Sequence, residues 1–177
     1  MKTLYLECNM GAAGDMLMAA LYELLSEEQK KSFLDTMNGL GLPGVEVAPV
    51  AAKTSGIAGT HVRVTVHGHE EHEHDHDHHD HEHHHEHHHH HHHATPGHIG
   101  EIIGGLSLPR EVREKARQVY DAIAQAEAQA HGCDVGDVHF HEVGALDAVA
   151  DVVGVCYAMY LLDPDLVTAS PVHVGSG

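Results

Sequence analysis

Two stretches of this sequence gather side chains that can do chemistry. The first is "HFHEVGALDAVAD", residues 139–151. His139 and His141 are two apart, so in extended backbone their imidazoles point to one side and Phe140 to the other. Glu142 adds a carboxylate beside them. Asp147 and Asp151 stand at i and i+4 and share one face of the helix that the apolar residues around them predict. Two imidazoles and up to three carboxylates can therefore meet where the loop joins the helix, a donor set that nickel accepts. The candidate catalytic residues are His141, Glu142, Asp147 and Asp151, with His139 and His141 also candidate metal ligands. A plainer reading has the imidazoles bonding to backbone and the aspartates facing water. Against it, Asp151 interrupts a strongly apolar helix, where a buried charge costs several kcal/mol unless paired.

The second stretch is "HEEHEHDHDHHDHEHHHEHHHHHHH", residues 69–93, built entirely of seventeen His and eight Asp or Glu. Its internal position and interleaved acids separate it from a terminal tag. Such a segment cannot bury apolar surface and is expected to be disordered. A plain spacer needs no imidazole, whereas imidazoles bind nickel, copper and zinc, and the carboxylates draw cations in. Metal sequestration is therefore favoured over spacing. The candidate ligands are His69, His72, His74, His76, His78, His79, His81, His83, His84, His85, His87, His88, His89, His90, His91, His92 and His93. Ligands so redundant hold ions loosely and without selectivity, which makes a reservoir rather than a catalytic site.

A third candidate is the Gly-rich turn "ECNMGAAGDM". Between a strand and a helix it exposes backbone N–H groups at the positive end of the helix dipole, which suits an anion. Gly11, Gly14 and Asp15 are the candidate cofactor-binding residues, although the spacing is neither a Walker loop nor a full dinucleotide fingerprint. A plain tight turn, with Asp15 compensating the dipole, is the competing reading. Cys8 is read as a small core residue before a soft ligand, Cys156 as core, and the lone His98, His131 and His173 as structural.

The elements that must position these residues follow from pattern. "TLYLEC" predicts a strand, and a helix runs from about Asp15 to Leu25. Ser26 with Gln29 forms a capping box for a second helix. "VEVAPV" and "THVRVTV" alternate as two strands, with "KTSGIAGT" between them as a hairpin loop. After the tract, "TPGHIGEIIGGL" predicts a short helix, Pro109 opens a long one reaching Ala130, and "ALDAVADVVGVCYAMYLL" makes an apolar one. "LVTASPVHVGSG" is read as a last strand. The fold class is α/β, a two-layer α+β arrangement: a small mixed sheet with helices on one face, in a split β-α-β layout. One domain is expected, residues 1–68 and 94–177, interrupted by the insertion 69–93 at the sheet edge.

Composition narrows the partners. Without the tract, nineteen acids against nine basic residues leave a charge of −10, which disfavours nucleic acid and anionic membranes. No Trp and two Phe leave little for stacking bases. Three scattered cysteines with no CxxC pair argue for a reducing cytoplasm, and Glu7 comes too early for a signal-peptide core. The longest apolar run, Val152 to Leu162, is too short for a membrane span.

"ECNMGAAGDM", "TSGIAGTHV", "AEAQAHGCDVGDVHFHEVGALDAVADVVG" and "SPVHVGSG" occur in the order found in the nickel insertion protein family LarC, which this sequence resembles over nearly its whole length. The resemblance implies the amino-terminal part of a longer protein, a nickel chelatase of the lyase class. Such proteins insert nickel into pyridinium-3,5-bisthiocarboxylic acid mononucleotide, forming the nickel-pincer cofactor of lactate racemase through two sulfur–nickel bonds and one carbon–nickel bond. The reaction consumes CTP and needs a divalent ion, manganese or magnesium, both handled by the carboxy-terminal region. Implied partners are the precursor mononucleotide, the protein's own carboxy-terminal part or a second chain, and lactate racemase, with a homo-oligomer left open. The alternative is a non-catalytic nickel or zinc store acting through the tract.

Overall fold

The computed structural model describes residues 1–69, 94–140 and 142–174. In chain order they form β1 (Thr3–Leu6), α1 (Gly14–Leu24), α2 (Glu27–Asn38), β2 (Val45–Thr54), β3 (Ile57–Val66), α3 (Pro96–Gly105), α4 (Arg110–His131), α5 (Leu146–Leu162) and β4 (Leu166–Ala169). Single 3-10 turns lie at Val135–Asp137 and Glu142–Gly144. The small α/β class is the one expected, but the single mixed sheet is not found among the described residues, whose strands form two separate two-stranded sheets. β1 pairs with β4 in parallel, and β2 pairs with β3 antiparallel.

Local chemistry sets most element ends. Ser26 Oγ accepts from the Gln29 N–H at 3.3 Å while Gln29 Oε1 accepts from the Ser26 N–H at 3.0 Å, so the capping box is complete. Pro109 caps α4, one residue before the helical span, and Gly132 stops it in the left-handed region at φ 65°. The hairpin differs from expectation. Most of "KTSGIAGT" is strand, and only Ser55 and Gly56 turn the chain, at φ 51° and 86°. Two successive positive φ values make the tight turn whose twist matches that of the flanking strands, so the ladder runs ten residues on each side. The last strand is shorter than expected and ends at Ala169, ahead of Ser170 and Pro171; Pro171 has no N–H to donate.

The core sits around α5, which packs against all four other helices and the β2–β3 hairpin. Val149, Val153, Tyr157 and Ala158 of α5 are buried with Met18 and Leu21 of α1, Phe33 and Met37 of α2, and Val47 and Val62 of the hairpin. Gly154 has no side chain, which lets Met18 and Met37 settle directly onto α5. On α4 the buried residues Val112, Ala116, Tyr120, Ala124 and Ala128 recur every fourth position, a stripe narrow enough for close helix packing.

Candidate functional site

The carboxylates on α5 meet the start of α1. Gly14 is the first residue of α1 and lies so close to α5 that a Cβ built on it would stand 2.8 Å from Asp151 Cβ and 3.0 Å from Asp151 Oδ2. Only glycine tolerates that approach without displacement. The result is a junction at which the charges of Asp15 and Asp147 bear on Asp151. Asp147 also closes its own helix start, its Oδ1 accepting from the Ala148 N–H at 2.8 Å. All three aspartates are half-buried.

Asp151 is the unusual member. Its Oδ1 is enclosed and has no hydrogen-bond partner among the described residues. Burial raises its carboxyl, the charges of Asp15 and then Asp147 raise it further, and the Asp15 backbone N–H only partly opposes them, leaving it pushed up to about 7. An anion arriving at Gly14 would face Asp15 and Asp151, so the electrostatics there favour a proton or a cation.

The loop before α5 is held from three sides. The Phe140 N–H donates to the Ala94 carbonyl at 2.8 Å, an isolated bridge. The Tyr120 hydroxyl donates to the Val143 carbonyl at 2.9 Å, and its ring packs on Phe140 with centroids 5.7 Å apart. Gly144 faces Ala94 Cβ and Phe140 Cβ so closely that a Cβ would lie 2.8 and 2.9 Å from them. His139 is exposed between buried Val138 and Phe140, the alternation that extended backbone requires. Ala94 directly follows the His-rich tract in sequence, so the carboxyl end of the tract is stitched to the loop that carries His139. His141 and residues 70–93 lie outside the described residues, and Glu142 is placed by its backbone alone, opening a 3-10 turn. His69, the first tract residue, exchanges backbone hydrogen bonds with Val66 at the end of β3. Among the described residues, no group of three or more His, Cys, Asp or Glu is arranged to hold a metal ion.

The Gly-rich turn is tied to the segment after β4. The Cys8 carbonyl accepts from the Gly11 N–H at 3.1 Å and from the His173 N–H at 3.0 Å, while the Cys8 N–H donates to Ser170 Oγ at 2.8 Å. Gly11, at φ 93°, lies against the His173 carbonyl. Cys8 is buried, as expected of a core residue, and the three cysteines are free.

Sequence reasoning missed Tyr120, whose phenol is raised above its ordinary range by burial, then by Asp147 and Asp151. The signal was present: it is the one large residue with a polar tip in a stripe otherwise of Ala and Val. His131, read as structural, pairs with Glu127 at 3.2 Å on the same helix.

A family profile described as "Nickel insertion protein" matches residues 4–177. The chain is 35% identical over 190 residues to the pyridinium-3,5-bisthiocarboxylic acid mononucleotide nickel insertion protein of Desulfitobacterium hafniense strain DCB-2, covering all of this chain and 38% of that relative. The proteins of the same name from Acetivibrio thermocellus and Lactiplantibacillus plantarum are 36% and 39% identical, with 40% and 41% of their lengths covered. The chain thus spans about two fifths of the length of these relatives. No solved structure matches.

Proposed function

Because the chain belongs to the nickel insertion protein family, we propose that it serves in inserting nickel into pyridinium-3,5-bisthiocarboxylic acid mononucleotide. Nickel is the cargo. The tract 69–93 gathers it, and the junction of α1 with α5 passes it to the precursor together with His139, His141 and Glu142 of the segment before α5. The observation that carries this reading is Asp151. A half-buried carboxyl with one enclosed oxygen left without a partner, beside two further carboxylates, is costly to keep for structure alone. It holds its proton near neutral pH and gives it up to an arriving cation, whose charge reverses the effect of Asp15 and Asp147. The turn Gly11–Asp15, which leads into the junction at Gly14 and Asp15, is assigned to holding the precursor. CTP and manganese or magnesium are assigned to the additional length that the relatives carry, and the protein is placed in the cytoplasm. Among the described residues no helix is long and apolar enough to cross a membrane.

The test is an insertion assay with purified protein, nickel, CTP and the precursor, run with the 177-residue chain alone and with the chain joined to the unmatched remainder of the L. plantarum relative. The joined protein is expected to form the nickel cofactor; absence of product from a folded joined protein that binds precursor and nickel would reject the reading. The composition of the tract favours a second reading, a nickel or zinc store with no insertion activity. Deleting residues 69–93 distinguishes the two. Under the insertion reading it lowers bound nickel yet leaves insertion intact at saturating nickel, whereas a store loses its only function.

A further inference from the structure

The β1–β4 ladder is built like the interior of a sheet and placed like a surface. Parallel strands are ordinarily covered on both faces, and two strands alone are marginal in water. Here every residue of β4 is exposed, Leu166 at 44% and Val167 at 43%, and Tyr5 of β1 is exposed at 58%. Seven of the thirteen large hydrophobic residues exposed among the described residues fall within residues 1–10 and 166–174, so the apolar surface is concentrated here rather than scattered.

Register shows which groups are left open. Leu4 and Leu6 of β1 pack on the core and stand opposite Val167 and Ala169, while Thr3 and Tyr5 stand opposite Leu166 and Thr168 on the outer face. The Leu166 and Ser170 N–H groups donate to β1, to the Lys2 and Leu6 carbonyls at 3.2 and 2.9 Å. By the alternation of a parallel ladder, the Val167 and Ala169 N–H groups point away from β1, to an edge that no described strand pairs. The relatives that match all of this chain carry about three fifths of their length outside the match.

We propose that the open edge of β4 docks that additional length, which adds a strand beside β4 and covers Leu166 and Val167. The inference rests on family membership and not on the nickel chemistry, so either can fail without the other. It makes β4, whose following segment is tied to the Gly-rich turn through Cys8, the mechanical link between the two parts of the full-length protein.

Amide hydrogen exchange tests it. The 177-residue chain is compared with the same chain joined to the unmatched remainder of the L. plantarum relative. The Val167 and Ala169 amides are expected to exchange at least about tenfold more slowly in the joined protein, while the Leu166 and Thr168 amides change little. Ala169→Pro removes only an outward N–H and is expected to restore fast exchange at Val167 in the joined protein without altering the circular dichroism of the chain alone. Equal rates at Val167 in the two proteins would overturn the proposal. So would slow exchange in the chain alone that rises with concentration alongside a doubled mass, because a second copy would then be the occupant. If the joined protein does not fold, the intact L. plantarum relative is measured at the strand aligned with residues 166–169, and fast exchange at its outward amides overturns the proposal equally.

Discussion

Helix α5 carries two polar groups into the protein, and they are treated differently. Tyr157 is 6% exposed, its hydroxyl lies 3.1 Å from Thr36 Oγ1 and 3.4 Å from Ser32 Oγ, and its ring stacks on Phe33 at 5.8 Å. Asp151, less than two turns earlier, has an enclosed Oδ1 with no partner among the described residues and two carboxylates for neighbours. A fold that can satisfy a buried hydroxyl at one end of a helix can satisfy a carboxyl at the other. That it leaves Asp151 Oδ1 unpaired separates a group kept for packing from one kept for what it can bind.

The sharpest break between the two ends is functional. In the chain joined to the remainder of a relative, Asp151→Ala is expected to lower nickel insertion by about 100-fold, as loss of one member of a small ligand set does, while most bound nickel remains on the tract. His141→Ala and His141→Gln are expected to fail alike, since an amide is a poor substitute for imidazole at nickel. Wild-type activity in a folded variant carrying both His141→Ala and Asp151→Ala would remove the site. Tyr157→Phe leaves insertion unchanged in the same assay.

pH separates them next. Asp151 has an ordinary carboxylate value when unfolded and about 7 when folded, so the folded state holds its proton more tightly. The stability this confers is fully present below the unfolded value, at about pH 4, and is lost as pH rises through the folded value of about 7. The loss is about 2 kcal/mol once solvent screening of a half-buried group is allowed for. Asp151→Asn should flatten the urea midpoint between pH 4 and 7 relative to wild type, and an unchanged slope would show that the Asp151 carboxyl is not raised.

Smaller effects probe the packing. Gly14→Ala sets a methyl group against Asp151 Cβ and is expected to cost about 2 kcal/mol in thermal or urea unfolding, moving the junction with it. A neutral Gly14→Ala would mean that α1 approaches α5 less closely than described. Tyr157→Phe is expected to cost about 1 kcal/mol through its lost hydroxyl bonds, equally at every pH from 4 to 8. A pH-dependent cost there would erase the contrast with Asp151.

Much of this was legible in the residues. The Ser26–Gln29 box, the opening of α4 at Pro109 and the shared face of Asp147 and Asp151 each depend on residues within about one helical turn, which composition and spacing report directly. The hairpin was legible only in outline. Its turn needed positive φ at Ser55 as well as Gly56, and the serine gives no strong warning of that. What no local pattern could report is which distant segments meet. Gly14 against Asp151, Tyr120 on the Val143 carbonyl, Phe140 on Ala94 and β1 beside β4 all join residues far apart in the chain. The sequence by itself determined the helices, their caps, the metal-attracting composition and the spacing of the carboxylates. Only the tertiary structure decided that Asp151 is enclosed and that β4 is left open, because both depend on which neighbours occupy the surrounding volume, and burial rather than residue type sets the state of a carboxyl or the exposure of a strand.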